Sequence, residues 1–305
     1  MESSRQRMLI TNGASSALTM ALMTTPGHGG TIAAEDVCYH VIRPLCDYLG
    51  IKVRHVAMDD DGMSPEALAE LCTKERIGAI LLQPNIANPT AIVMSQGRRR
   101  RLADVARQHD LSIVETDVFG PLMQQRPPPI ASFAPERTLY ITGFSKIAMP
   151  GLRIAYLAAP DRYAAPLANR HLAANWMATP LMAEIATLCH RDGTLAELIA
   201  YQRSELVKRH MIASRCLTGS DYSTRQEALH LWLRLPQGHD EQAFVSQARV
   251  RGVAVAPSLP FSLSGRSVGA LRISLGASDE ADLQTGLQVL ASLLNAPPDR
   301  SVLAL

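Results

Sequence analysis

Short apolar runs alternate with stretches of helical periodicity over the first two-thirds of the chain. Seven of the runs, at residues 7–11, 30–34, 52–57, 79–83, 112–116, 138–141 and 153–158, have strand length and aliphatic or β-branched side chains. Between the first five lie segments 15–23, 39–49, 65–73 and 97–109, where helices fit. The third opens with Ser64 as a capping residue and Pro65 at the first helical position. Strand followed by helix followed by strand predicts parallel βαβ units, and hence an α/β fold of three layers around a doubly wound, seven-stranded, mostly parallel sheet. After Pro160 the pattern becomes helical through about His210. Strand-like runs at 228–233, 253–256 and 271–275 then alternate with helices near 241–251 and 279–294, which predicts a smaller C-terminal α+β domain. The expected division is a large domain over 1–165, connecting helices over 166–215 and a small domain over 216–305. No Pro-, Gly- or Ser-rich linker marks the boundary, and a long helix shared by both parts would explain that. Residues 127–129 and 296–298 read as loop and tail signals.

Composition narrows the field without naming a function. The 305 residues, 47% hydrophobic and 19% charged, describe a globular chain and exclude a mainly disordered or fibrous one. With 30 Lys+Arg against 28 Asp+Glu the net charge is +2, so no global footprint for nucleic acid or an acidic membrane exists, and no direct nucleic-acid binding is expected. The four arginines 98–101 start a helix and read as a solvated face. Five cysteines, at 38, 46, 72, 189 and 216, form no C-x-x-C pair, which favours free thiols in a reducing compartment and suggests no zinc. Nine histidines show no metal-ligand spacing, so no metal site is expected. The first residues lack the apolar core of a signal peptide and no run approaches a membrane span, so a cytoplasmic location is expected.

The sharpest chemical signal is GFSKIAMPGLR at 143–153, a lysine in a small-residue turn between two apolar strands. Where strands end and water is sparse the ammonium form of Lys146 is disfavoured, which frees the amine to form a Schiff base with an aldehyde. Arg153, seven positions on, offers a fork for phosphate. Taken alone, such a stretch reads more often as a plain turn with solvated charges. Three further places corroborate it. TNGASS at 11–16 joins the first strand to the first helix and presents bare N–H groups to an anion. Asn88-Pro89-Thr90 and Asp117 both follow the carboxyl ends of predicted parallel strands, where ligands of such sheets bind. Each has a structural rival: a strand-end cap for Asp117, a turn residue for Asn88, a helix-start aromatic for Tyr39, a surface charge for Arg272. Their joint placement argues for the chemical reading.

With these motifs, in this order, and with Ala270-Leu-Arg-Ile-Ser-Leu-Gly closing the set, the chain resembles the fold-type I pyridoxal-phosphate enzymes from about Met8 to about Leu294. Within that superfamily it is most similar to the 2-aminoadipate/kynurenine aminotransferase-like branch, including the aminotransferase-like domain of MocR-type regulators of the GntR family. The resemblance implies pyridoxal 5'-phosphate as cofactor, held by Lys146, which later moves the substrate's α-proton. It further implies that Asp117 pairs with the protonated pyridine nitrogen, Asn88 bonds the phenolic oxygen and Tyr39 stacks on the ring. Gly13, Ala14, Ser15, Ser145 and Arg153 would surround the phosphate, and Arg272, with Asn88 beside it, would clamp the substrate carboxylate. Amino acids and 2-oxo acids would be the partners in reaction, and a homodimer the assembly.

The sequence departs from the family pattern at definite places. Phe119 stands at a cofactor-facing position where this branch usually has a tyrosine, Gly143 replaces a hydroxyl residue, and Val37 replaces the proline before the stacking tyrosine. On this alignment the sequence is expected to begin at the first sheet strand, where the enzymes carry an N-terminal arm before it and the regulators a winged-helix domain. Two functions therefore stand side by side: an aminotransferase moving an amino group between an amino acid and a 2-oxo acid, and an effector-sensing domain related to the regulators. A related lyase or decarboxylase would use the same lysine and aspartate.

Overall fold

The computed structural model describes residues 8–26, 29–276 and 278–296. Residue 7, the expected start of the first strand, and the expected tail signal beyond 296 lie outside them. The first part of the chain contains β1 (Met8–Thr11), α1 (Ala14–Thr24), β2 (Thr31–Glu35), α2 (Ile42–Tyr48), β3 (Lys52–Val56), a hairpin of β4 (Met58–Asp59) and β5 (Gly62–Met63), α3 (Pro65–Lys74), β6 (Ala79–Leu82), α4 (Gln96–Gln108), β7 (Ser112–Thr116), β8 (Thr138–Gly143) and β9 (Ala155–Ala158). Seven of these strands form one sheet in the order β1-β9-β8-β7-β6-β2-β3. The pairs β2/β3, β2/β6, β6/β7 and β7/β8 are parallel, whereas β9 runs antiparallel to both β8 and β1.

Period-two alternation sends the side chains of each strand to two cores. Ile32, Ala34, Leu81, Val114, Leu139 and Leu157 pack with Ala17, Leu22 and Cys46 of α1 and α2 on one face. Ala33, Ile80, Leu82 and Ile113 pack with Leu68 and Leu102 of α3 and α4 on the other. Burial on both faces accounts for the near-continuous apolar runs of β2 and β6. The helix starts follow the capping rules: Ser64 Oγ accepts from the Ala67 N–H at 3.2 Å, and Ser95 Oγ from that of Arg98 at 3.2 Å. The β4–β5 hairpin has no counterpart in the apolar pattern, because its strands are two residues long.

Three helices follow, α5 (Ala164–Asn175), α6 (Pro180–Arg191) and α7 (Thr194–Cys216), then β10 (Tyr222–Ser223), β11 (His230–Arg234), α8 (Glu241–Val250), β12 (Ala256–Pro257), β13 (Ala270–Ser274) and α9 (Glu280–Asn295). The four late strands form a second, antiparallel sheet in the order β10-β11-β13-β12. The expected strand at 253–256 shrinks to Ala256–Pro257. The 23-residue α7 serves both parts: Leu206 packs with Phe119 and Leu122 beside the large sheet, while Ala213 enters the core of the second sheet with Leu231 and Leu271. Among the described residues no helix is long and apolar enough to cross a membrane.

Candidate active site

The turn from β1 into α1 sets an uncapped helix start against an arginine. Gly13 has φ +88°, and a Cβ there would lie 2.5 Å from Arg153 Nη2, so the absence of a side chain lets the guanidinium close over the helix start. No side chain caps α1 and no acidic residue lies in its first turn, which leaves its leading N–H groups available. Arg153 holds a left-handed conformation (φ 49°, ψ 38°) and its Nη1 donates to Ser145 Oγ at 3.3 Å. Gly13, Ala14, Ser15, Ser145 and Arg153 thus form one electropositive cup. Asn12 ties the α5–α6 turn to it, its Oδ1 accepting from the Thr179 N–H at 3.1 Å.

Lys146 follows β8, its side chain open to solvent at the rim of the cleft. Its pKa is nonetheless lowered, first by the partial burial of its ammonium and then by the charges of Arg272 and Arg153. Arg272 comes from β13 in the second sheet and crosses the cleft, where its Nε donates to Asn88 Oδ1 at 2.9 Å. Tyr39 stands near Arg272, and with Gln83, Asn88 and Thr116 it lines a cavity of about 40 Å³. The two sheets therefore meet at Lys146, Arg272, Asn88 and Tyr39.

Asp117 lies just past the carboxyl end of β7 and is fully buried. Its carboxylate accepts from Tyr140 Oη at 2.5 Å, Arg126 Nη1 at 2.6 Å and Asn85 Nδ2 at 2.9 Å. Burial, followed by the Asp117 charge, raises the Tyr140 pKa, so the phenol stays a donor. Asn85 is in turn oriented by Arg99, whose Nη2 donates to Asn85 Oδ1 at 2.7 Å and to the Pro84 carbonyl at 2.9 Å.

The sequence placed Arg99 on a solvated face, and the structure corrects this: Arg99 has no exposed surface. A signal for it existed, since Arg99, Leu102, Ala103 and Ala106 share the buried i, i+3, i+4, i+7 stripe of α4. Arg98 is also mostly covered, pairing with Asp59 at 2.8 Å and the Met63 carbonyl at 2.8 Å. Tyr140, Arg126 and His230 were not singled out by sequence. Phe119 is buried among Ile86, Ala91, Leu122 and Ile147, with its ring centroid 5.8 Å from that of His230, and brings no polar atom to the site. His230 is buried and its pKa is pushed down to about 3, mainly by burial and then by Arg272, which keeps the imidazole neutral.

The family profile described as "Aminotransferase class I and II" matches residues 1–290. The chain is 28% identical over 296 residues to the uncharacterised HTH-type transcriptional regulator YdeF of Bacillus subtilis (strain 168), covering 96% of this chain and 64% of the regulator. Two other HTH-type regulators are covered over 58% and 60% of their length, so the chain spans less than two thirds of the regulators it matches. It is 24% identical over 302 residues to the 2-aminoadipate transaminase of Thermus thermophilus, covering 95% of this chain and 75% of that one. In structure it is similar to the kynurenine aminotransferase of Pyrococcus horikoshii, solved with PMP, with a TM-score of 0.88 at 22% identity over 96% of this chain and 76% of that one, which shows the fold.

Proposed function

Since the chain belongs to the aminotransferase class I and II family, we propose that it binds pyridoxal 5'-phosphate through Lys146 and transfers an amino group between an amino acid and a 2-oxo acid. The observation that carries this reading is the meeting of Lys146 with Arg272 and Asn88 at the junction of two sheets, within reach of the Arg153 cup. The residues present suit the cofactor: the cradle at Gly13, which a Cβ would fill, accepts phosphate, and a buried carboxylate stands at a strand end for the ring nitrogen. When bound, the cofactor supplies an electron sink for the carbanion at the substrate's α-carbon.

The chain's own residues supply the rest. Gly13, Ala14, Ser15, Ser145 and Arg153 hold the phosphate, Tyr39 covers one ring face and Phe119 lies against the ring surroundings. Asn88 bonds the phenolic oxygen and Asp117 holds the proton on the ring nitrogen. Arg272 grips the substrate carboxylate in a bidentate fork, which fixes the α-C–H bond toward Lys146. Lys146 Nζ, whose lowered pKa favours the free amine, takes the α-proton and returns it. The division into 1–165, 166–215 and 216–305, a cytoplasmic location and a homodimer belong to the same reading. Support for the dimer comes from Leu172, Trp176, Met177 and Leu181, which leave large apolar surface exposed around the α5–α6 turn. Mixing the cofactor-loaded protein with single amino acids tests the reading: a 2-oxo acid and the amine form of the cofactor are expected in one turnover. Tight amino-acid binding without either product would remove the transferase function.

A second reading, an effector-sensing domain like that of MocR-type regulators, is supported by the match to HTH-type regulators and by Phe119, whose ring offers no hydrogen bond to the phenolate. Under it amino acids bind at Lys146 and Arg272, and no oxo acid is released.

A further inference from the structure

The loop 258–269, between β12 and β13, is held by two carboxylates from opposite sides of the cleft. At its root, buried Glu241 of α8 accepts from the Ser258 N–H at 2.7 Å, Ser258 Oγ at 2.6 Å, Ser267 Oγ at 2.6 Å and the Ala270 N–H at 3.2 Å. These bonds make the loop one piece with the second sheet, because Ala270 opens the strand that carries Arg272. At its tip, the Ser264 N–H donates to Asp36 Oδ1 at 2.7 Å and Ser264 Oγ donates to Asp36 Oδ2 at 3.1 Å. Asp36 belongs to the other side: it follows β2 directly and stands three residues before Tyr39.

The backbone repeats the join. The Leu263 N–H donates to the Asp36 carbonyl at 2.7 Å and the Cys38 N–H to the Phe261 carbonyl at 2.9 Å, so that Val37 and Ser262 pair as an antiparallel bridge. Side chains continue it in a row of near edge-to-face rings: centroids lie 4.8 Å apart for Tyr39 and His40, 5.2 Å for His40 and Phe261, and 6.0 Å for Phe261 and Trp232. Trp232 lies opposite Arg272 in the β11–β13 register, so both stand on one face of the second sheet. A packed path thus leads from the Tyr39 ring to the strand of Arg272, and the Asp36 carboxylate fastens it with two charge-assisted bonds.

We propose that Asp36 is a positioning residue that straps the second sheet to the Tyr39 segment, so that the grip of Arg272 on a carboxylate and the seat of Tyr39 over the cofactor ring are set together. A carboxylate bound at Arg272 orders the β13 side of the cleft. Through the strapped loop that order reaches residues 36–39, and cofactor binding then has less left to order. The two events favour each other reciprocally. The inference rests on the reading that Tyr39 covers the ring and Arg272 holds the substrate carboxylate.

Titrating the full chain with pyridoxal phosphate, with and without saturating acetate at constant ionic strength, tests it. Acetate is a carboxylate small enough to reach Arg272 and has no amino group to react. In the wild type acetate tightens cofactor binding by about fivefold or more, and Arg272→Ala abolishes the effect. Asp36→Ala brings the factor close to one. Ser264→Ala, which removes one of the two bonds, lowers it in part, and Asp36→Asn, whose Oδ1 still accepts from the Ser264 N–H, keeps most of it. A purely structural Asp36 would weaken cofactor binding with the factor intact. That outcome, no tightening in the wild type, or tightening that survives Arg272→Ala overturns the proposal. Borohydride reduction separates the failures: linkage to Lys146 with the factor unchanged in Asp36→Ala removes the role of Asp36 alone, whereas no linkage to Lys146 removes the cofactor reading and this inference with it.

Discussion

Arg272 and Asn88 come from different sheets and are joined by a 2.9 Å hydrogen bond across the cleft. A substrate carboxylate would take over the Arg272 fork, so Arg272→Ala should raise KM for the amino acid by about 10- to 100-fold, the worth of a hydrogen bond to a charged group. Cofactor affinity should change little, because the phosphate cup lies on the other sheet. Titrating cofactor and amino acid separately checks this, and an equal loss of both would detach Arg272 from the substrate. At this scale the strand-end positions of Asp117, Asn88 and Lys146 were legible, because each punctuates an apolar run. The groups around Asp117 were not. Arg126 sits in a loop without periodicity, Tyr140 reads as an ordinary strand aromatic, and the run of arginines hid the inward direction of Arg99, which only its register with Leu102 and Ala106 betrays.

The start of α1 is where one element's geometry gives a test of the cofactor reading. Gly13→Ala would place a Cβ at φ +88° and 2.5 Å from Arg153 Nη2, so strain and displacement of the guanidinium act together. Pyridoxal phosphate affinity should fall by about tenfold or more, whereas the affinity of pyridoxal, which lacks the phosphate, should fall far less. Fluorescence titration with both compounds decides it, and equal losses would place the phosphate elsewhere. The end of β2 gives a pH prediction. Glu35 is buried, accepts from the Met63 N–H at 2.9 Å and thereby pins the β4–β5 hairpin. Burial raises its pKa from 4.5 to about 7, against the smaller opposing effects of the Met63 N–H and Arg98. An acid with a raised folded pKa binds more protons folded than unfolded, so its contribution favours folding below about pH 4.5 and is lost as pH rises through about 7. Glu35→Gln, which keeps an acceptor for Met63, should therefore flatten that fall. Urea unfolding of both proteins at pH 5 and pH 8 measures it, and identical slopes would mean that Glu35 titrates normally. Long strands and capped helices were readable as elements because apolar period and cap residues agreed, as at Ser64 and Ser95. The two-residue strands β4, β5 and β10 were not, since pairing, rather than pattern, defines them.

On the scale of the molecule, two sheets share one helix, and the site lies where they face each other. The order β1-β9-β8-β7-β6-β2-β3 brings the carboxyl ends of β6, β7 and β8 together at the centre, which places Asn88, Asp117 and Lys146 side by side although 58 residues separate the first from the last. Alternation of strands and helices made this architecture legible, and the late texture change at Pro160 foretold the second sheet. That Arg272 would bond Asn88 could not be read from spacing, because the distance between sheets is set by how α7 packs against both.

The central claim is that the two sheets assemble a cofactor site on Lys146. The chain has four lysines, Lys52, Lys74, Lys146 and Lys208, so borohydride reduction of the protein mixed with pyridoxal phosphate, followed by peptide mapping, gives an unambiguous answer. The account predicts a single stable pyridoxyl group on the peptide containing Lys146, absent from Lys146→Ala. A pyridoxyl group on Lys52, Lys74 or Lys208 instead, or the same yield from Lys146→Ala as from the wild type, would contradict it.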